Sequence, residues 1–217
     1  MVHVDDLTPI AQDYLKVIWS AIEWGDRPIT TKGLAARFET TQANVSETMR
    51  RLHRQGLVDY EPYRPVTLTD LGARLAMVMV RRHRLLETYL AQSLGYGWEE
   101  VHDEAERLEH AASDKFLDRI DELLGHPRFD PHGDPVPAPE GEWTPRTDAI
   151  RLIYAGPGRY QVVRVDDTDP DRLTRLAQLH LVPGAVIRLR NGLAIELVGD
   201  PVPALIEDLD ALWIRRV

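Results

Sequence analysis

A chain of 217 residues, 43% hydrophobic, is long enough for one large domain or two to three small ones. It lacks the ~18-residue apolar run of a membrane span, and its N-terminal MVHVDDLTP has no basic stretch leading into an apolar one, so neither a span nor a secretory leader is read and a cytoplasmic location is expected. The net charge of −9 disfavours nucleic acid as a partner, and the absence of cysteine excludes disulfides and thiolate metal sites.

The charge is uneven. Between Pro28 and Arg64 six basic residues face four acidic ones, while between Glu99 and Glu122 ten acidic residues face three basic ones. A basic module beside an acidic one is the pattern to explain.

In chain order, Thr8 and Pro9 start a helix reaching about residue 24, with Tyr14, Val17, Ile18, Ala21 and Ile22 at helical spacing. Thr30 or Thr31 caps a short second helix containing Leu34, Ala35 and Phe38. Thr41 caps a third, carrying Val45, Met49 and Leu52 and stopped by Gly56. Leu57–Tyr60 and Val66–Leu68 read as short strands joined by Tyr63-Arg64-Pro65. Two short helices followed by a hairpin form a winged helix-turn-helix. Thr69 or Asp70 caps a long helix to about Leu94, and a further helix is predicted from about Trp98 to Leu124. The stretch from His126 to Pro145 holds six prolines and two glycines and reads as a linker rather than packed core. Strands follow at Ala149–Ile153, Tyr160–Val165, Ala185–Leu189 and Leu193–Val198, with one helix at about Asp169–Leu179, which suggests a small barrel. The chain is therefore expected to be mainly α with small β parts. Its domains are expected to be residues 1–74, a winged helix-turn-helix; 75–143, a helical domain; and 144–217, a β-barrel.

The strongest chemical signal is the run from His102 to His110. On one helix His102, Glu106, Glu109 and His110 share a stripe, separate from the apolar Val101, Ala105, Leu108 and Ala112. Carboxylates and imidazoles crowded together repel unless a cation lies between them, and a sulfur-free donor set suits Mn(II), Fe(II), Co(II) or Zn(II). The plainer reading is a solvated acidic face. His83 and Glu87, one turn apart on the preceding helix, shift the balance toward a shared metal cluster.

The second signal is the recognition helix. Thr41, Gln42, Ala43, Asn44, Ser46 and Glu47 open it with short polar side chains fit for base edges and phosphates, while Arg50, Arg51, Arg54 and the wing's Arg64 suit the DNA backbone. A winged helix used for protein contacts is the plainer alternative.

Asp13-Tyr14-Leu15, Tyr63–Thr69, Arg82–Glu87 and Val101–His110 together resemble the diphtheria-toxin-repressor family of metalloregulators, and the third domain resembles that family's SH3-like, FeoA-type appendage. The resemblance implies a primary metal site of Asp13, Glu106, Glu109 and His110. It implies an ancillary site of His83, Glu87 and His102 completed from the third domain, with Asp169 where the family places a carboxylate and Asp166 as the alternative. Iron-responsive members carry methionine and cysteine where this chain has Asp13 and Glu106, so the resemblance implies the manganese-responsive type, with about two Mn(II) per chain. Lys16 stands where some small manganese members have a further carboxylate, and Arg172 where a glutamine is expected.

The expected function is a metal-activated repressor, a homodimer binding a palindromic double-stranded operator, with no membrane partner, no small-molecule substrate and no enzymatic turnover. An ion shared by the first helix and the helical domain would fix the spacing of the dimer's recognition helices. Leu75, Val78, Met79, Leu86, Leu117, Ile120 and Leu124 are expected to form the dimer's apolar interface. The alternatives are an iron-responsive member of the same family, a metal buffer, or a His/carboxylate metalloenzyme. Against the last, Glu106 and His110 form ExxxH rather than ExxH, and no HExxH is present.

Overall fold

Threonine side chains set the starts of the first three helices. Thr8 Oγ1 accepts the Ala11 N–H at 3.3 Å and opens α1 (Pro9–Glu23). Thr30 opens α2 (Thr31–Arg37) and Thr41 opens α3 (Gln42–Arg54), each by the same hydrogen bond three residues on. The computed structural model describes all residues except Met1, Asp26, 140–142, Pro145, 191–194, 198–199 and 203–205.

One face of each helix turns inward. Tyr14, Leu15 and Ile18 of α1 pack with Leu34 and Ala35 of α2 and Val45, Met49 and Leu52 of α3. β1 (Val58–Asp59) and β2 (Thr67–Leu68) pair antiparallel as the wing, with Val58 opposite Leu68. At its tip Tyr63 adopts a φ of 67° and is fully exposed. Thr69 then joins wing to helix: its Oγ1 donates to Gly56 O at 2.7 Å and accepts the Gly72 N–H at 3.0 Å, opening α4 (Asp70–Leu94). Gly72 is required here, because a Cβ would stand 1.9 Å from Leu57 O.

The predicted helix from Trp98 to Leu124 is two helices. α5 spans Val101–Leu108, and Ser113 Oγ accepts the Phe116 N–H to start α6 (Asp114–Leu123). Glu109 caps α5, so His102 and Glu106 share one helix face while His110 lies beyond the helix end. Leu85, Leu86 and Leu90 of α4 pack against Val101 and Ala105 of α5 and Leu117 and Ile120 of α6. The expected interface residues Leu75, Met79, Leu86, Leu117 and Ile120 are thus buried inside the chain, and Val78 and Leu124 pack against that interior. Helical spacing marks an apolar face without saying whether the chain's own core or a partner covers it. Phe116, Leu123 and Leu108 are the apolar side chains left exposed on α5 and α6.

The expected linker also differs from its reading in part. Asp130, His132 and Asp134 are buried, and Asp130 Oδ1 accepts the backbone N–H of both His132 and Asp134 at 2.9 Å. The proline content that suggested solvent exposure instead shapes a tight acidic turn.

Beyond it, β3 (Ile150–Arg151), β4 (Gly158–Val165), β5 (Val186–Leu189), β6 (Ile195–Leu197), β7 (Asp200–Val202) and β8 (Leu212–Arg216) form one antiparallel sheet in the order β3-β8-β4-β5-β6-β7. α7 (Pro170–Gln178) covers it with Leu173 and Leu176. β8 was missed by sequence periodicity, and part of the expected strand 193–198 lies outside the described residues.

Two compact units result: Met1–Arg82 with Pro137–Trp143, and His83–Val136 with Thr144–Val217. Among the described residues no helix is long and apolar enough to cross a membrane.

Gly72→Ala is expected to destabilise the first unit by ~1–3 kcal/mol, the scale of overpacking in a closed core. Gly156→Ala, where a Cβ meets nothing within 4 Å, serves as the control in denaturant unfolding. Equal midpoints for the two variants would refute the backbone clash.

Candidate metal centre

The second unit brings His83 and Glu87 of α4, His102 of α5 and Asp167 of the segment after β4 together, with one donor atom from each lying within 4.8 Å of all the others. His83 Nε2 lies 2.9 Å from Glu87 Oε1 and 3.2 Å from His102 Nδ1. His102 Nδ1 lies 3.3 Å from Glu87 Oε1 and 3.4 Å from Asp167 Oδ2. The i, i+4 spacing of His83 and Glu87 places both on one face of α4. Glu109 orients the first imidazole, accepting from His83 Nδ1 at 2.7 Å and leaving Nε2 toward the cluster.

The turn between α6 and the sheet supplies a further nitrogen. His132 Nε2 lies 2.7 Å from Trp98 O. A carbonyl only accepts, so this nitrogen carries the proton and Nδ1 turns toward Glu87 Oε1 and Asp167 Oδ2, each 3.9 Å away. His132 Nδ1 and Glu87 Oε2 are both buried and lack a hydrogen-bond partner. Asp130 completes a second cluster with Glu87 and His132. Two orphaned atoms beside three imidazoles and two carboxylates fit a hard-to-borderline divalent cation, because a dense set of nitrogen and oxygen donors without sulfur is what such an ion replaces water with.

Without an ion, the groups of the cluster shift one another strongly. Burial opposes charge on Glu87, yet His83 and His102 hold its carboxyl well below the usual carboxylate range. Burial opposes charge on His102 as well, yet Asp167, Glu106 and Glu87 push it up to about 12. Asp130 moves the other way, to about 8, under burial and the neighbouring charges of Asp134 and Glu87. Arg84 Nε stands 3.5 Å from Asp130 Oδ2, and Arg164 Nε donates to Asp134 Oδ1 at 2.8 Å, so the turn is fixed by cations on both sides. Gly133, with φ 93°, lets the turn lie on β4: a Cβ there would stand 2.1 Å from Val163 O.

Of the residues singled out from sequence, His83, Glu87 and His102 converge. Glu106 lies at the rim, its Oε1 3.5 Å from His102 Nε2, and His110 lies 3.9 Å from Glu109 Oε1. Asp13 is half-buried on α1 in the first unit. The two third-domain candidates are engaged elsewhere. Asp169 Oδ1 accepts the Arg172 N–H as the cap of α7, and Asp166 Oδ1 accepts from Thr168 N and Oγ1. The carboxylate in the cluster is Asp167. Arg172 faces Asp166 and Asp208. Asp130 and His132 were missed because they sit in the breaker-rich stretch; the only sequence signal was Asp130-Pro-His132-Gly-Asp134, three ionisable residues at alternate positions.

The first unit presents the other expected face. On α3, Val45, Met49 and Leu52 are buried, whereas Gln42, Ala43, Asn44, Glu47, Arg50 and Arg51 are exposed and Ser46 is half-buried. Thr41 and the wing's Arg64 are exposed as well. Arg50 Nη1 donates to Glu47 Oε2 at 3.3 Å, so the one acidic side chain on this face is neutralised locally.

Comparison with known proteins agrees with both halves. Residues 6–66 match the iron dependent repressor N-terminal DNA binding domain, and residues 69–138 match its metal binding and dimerisation domain. The diphtheria toxin repressor of Corynebacterium efficiens is 30% identical over 95% of this chain and 99% of its own length. The chain belongs to the diphtheria toxin repressor family. The iron-dependent repressor IdeR of Mycobacterium leprae is 31% identical over 87% of this chain and 86% of its own length. A solved manganese-dependent transcriptional repressor in complex with manganese superposes with a TM-score of 0.89 at 43% identity, covering 95% of this chain and 100% of that one. Members are metal-dependent DNA-binding repressors, not enzymes, and the winged helix, helical domain and C-terminal sheet are those of the family.

Asp167→Asn is expected to weaken Mn(II) binding at this cluster at least ~10-fold, since outer-shell changes alone reach that scale. Asp169→Asn, a cap change, leaves it within about twofold. Equilibrium titration with free Mn(II) read by electron paramagnetic resonance separates the two; equal losses would remove Asp167 from the ligand set.

Proposed function

We propose that this repressor is activated by Mn(II), binds a palindromic operator as a homodimer, and controls metal-homeostasis genes in the cytoplasm. The observation that carries the reading is the donor set: three imidazole nitrogens and two carboxylates packed around Glu87, with His132 Nδ1 and Glu87 Oε2 lacking other partners. His83, Glu87, His102, His132 and Asp167, with Asp130 beside them, hold one ion. Asp13, Glu106, Glu109 and His110 hold the other, as the family resemblance implies, which gives two per chain. The similarity to a repressor solved with manganese supports the choice of metal.

When bound, a divalent cation supplies the positive charge that lets these carboxylates share one small volume. Asp13 belongs to α1 of the DNA-binding unit, and Glu106 to His110 belong to the helical segment. Ligation of both therefore selects one arrangement of the two, and it does so only through the difference in affinity between arrangements. In that arrangement Gln42, Asn44 and Ser46 read base edges, with Thr41 and Ala43 lining the approach and Glu47 accepting from a cytosine amino group. Arg50, Arg51 and Arg64 meet phosphates. The second reading, an iron-responsive repressor, draws on the names of the sequence relatives. Asp13 and Glu106 speak against it, because hard oxygen donors replace soft sulfur there.

Chelator should abolish operator binding and Mn(II) should restore it. Replacing Asp13 with Met and Glu106 with Cys should shift the response toward Fe(II), Co(II) or Ni(II), measured as anaerobic operator affinity under each metal. A double variant that keeps the wild-type Mn(II) response would show that these side chains do not set selectivity.

Dimerisation uses the exposed apolar face of α6. Phe116→Glu with Leu123→Glu should leave the chain folded and monomeric at micromolar concentration by sedimentation, with operator affinity lost in Mn(II). A dimer of undiminished stability would move the interface elsewhere.

A further inference from the structure

One side of the C-terminal sheet carries arginines where the other carries its core. Along β4 Tyr160 and Val162 are buried, and along β5 Ile187 and Leu189 are buried. Alternation along a strand therefore turns Arg159 and Gln161 of β4 and Arg188 of β5 to the opposite side. The register sets these residues in rows. Arg159 lies directly opposite Arg188, Arg188 opposite Glu196 of β6, and Gln161 opposite Arg215 of β8.

Like charges directly opposite one another in an antiparallel pair are destabilising, because their Cβ atoms stand only about 5 Å apart. The sheet does not relieve this pair itself. Two carboxylates reach the face, and each is engaged by another arginine. Arg190 Nε donates to Glu196 Oε1, and Arg215 Nη1 donates to Asp148 Oδ2 at 3.2 Å while its Nη2 donates to Gln161 Oε1 at 2.7 Å. Arg159 and Arg188 are exposed and have no carboxylate partner among the described residues. The face is thus locally basic in a chain whose net charge is −9.

An anion laid across Arg159 and Arg188 removes their repulsion. The guanidinium suits phosphate best, since its planar fork offers two parallel donors. The rest of the face decides which carrier of phosphate fits. A small ligand is held in a concave site, whereas side chains standing on a sheet present an open one. A protein partner is anchored by aromatic or aliphatic side chains at the centre of its interface, and the centre here is charged. Single-stranded nucleic acid stacks its bases on aromatic rings, and Arg159, Gln161, Arg188, Glu196 and Arg215 offer none. An extended duplex backbone fits, and DNA is the polyanion this family binds.

We propose that this face of the C-terminal sheet is a second DNA-contact surface, on which Arg159 and Arg188 bind phosphates of duplex DNA without reading bases. Such contacts add affinity and salt dependence for any sequence. The surface lies wholly within the second unit and acts in addition to α3.

The test uses the full-length protein, with chelator present and a non-operator duplex, so that phosphate contacts dominate. Affinity is measured by fluorescence anisotropy between about 50 and 200 mM salt for wild type, Arg159→Gln, Arg188→Gln, the double variant and Arg107→Gln. Arg107 is an exposed arginine of α5 paired with Glu104, and it controls for net charge. Each single variant of the pair should reduce the slope of log affinity against log salt by about 0.9 and the double by about 1.8, with at least a ~10-fold loss of affinity at the lowest salt. Thermal midpoints should stay at or above that of wild type, because a repulsion is removed. Arg107→Gln should keep the wild-type slope. A double variant that keeps the wild-type slope overturns the proposal, as does a wild type with no measurable affinity for the duplex at the lowest salt. An equal change in Arg107→Gln also overturns it, because the effect is then one of net charge alone. Poly-L-glutamate is titrated in parallel. A double variant that loses this polymer but keeps DNA makes the face a surface for an acidic protein and overturns the assignment to DNA.

Discussion

Glu87 is a carboxylate with no exposed surface, and the second unit is arranged around that fact. Removing an ionised carboxylate from water costs several kcal/mol unless it is paired and hydrogen-bonded. Three imidazoles converge on it, and a second carboxylate, Asp167, shares two of them, His102 and His132. The histidines in turn need their far nitrogens fixed. Glu109 fixes His83 and the Trp98 carbonyl fixes His132. Each requirement recruits another residue, so a single buried charge organises side chains from α4, α5, the acidic turn and the segment after β4.

The same logic explains the second layer. Asp130 spends one oxygen on two backbone N–H groups and thereby shapes the turn that carries His132. Arg84 and Arg164 balance Asp130 and Asp134, and Arg164 also stacks over Trp213 at 4.1 Å. The Val165 N–H donates to His132 O at 2.9 Å, which stitches β4 to the turn. The C-terminal sheet is therefore joined to the helical segment through a polar network whose members depend on one another. Such networks specify one arrangement when every group is satisfied and are costly when one is not. The two atoms left without a hydrogen-bond partner, Glu87 Oε2 and His132 Nδ1, are where a cation would complete the network.

Much of this was legible in the sequence where the signal is local. Thr8, Thr30 and Thr41 announce helix starts because a hydroxyl three residues ahead of a free N–H is a short-range interaction. The wing was legible from its strands and from Tyr63-Arg64-Pro65. His83 and Glu87 were legible as a pair because helical spacing puts them on one face, and their grouping with His102 came from the family resemblance. What failed was non-local. The break between α5 and α6 depends on Ser113 outcompeting helix continuation. The choice among Asp166, Asp167 and Asp169 depends on where the chain turns after β4, which no periodicity records. Leu75, Met79 and Leu117 showed an apolar face, but whether a core or a partner covers it is decided by the packing of α4 against its neighbours. His132 was hidden by its company, since prolines and a glycine usually mean solvent and here mean a turn tight enough to bury an imidazole.

An overall charge of −9 would seem to forbid DNA, and the resolution lies in distance. At physiological ionic strength charges are screened beyond roughly 8 Å, so a phosphate senses the surface it touches rather than the net total. On α3 that surface is basic, because Arg50 cancels Glu47 and leaves Arg51 and Arg54 in excess. The acidic residues are concentrated instead in the segment from Glu99 to Glu122 that carries much of the proposed ligand set. Segregation of this kind lets one chain hold a cation and a polyanion without either field cancelling the other. Screening therefore separates the two charge problems: local positive charge on α3 sets contact with phosphate, while the crowding of the acidic segment is a short-range matter among its own carboxylates, the repulsion that a cation lying between them would offset.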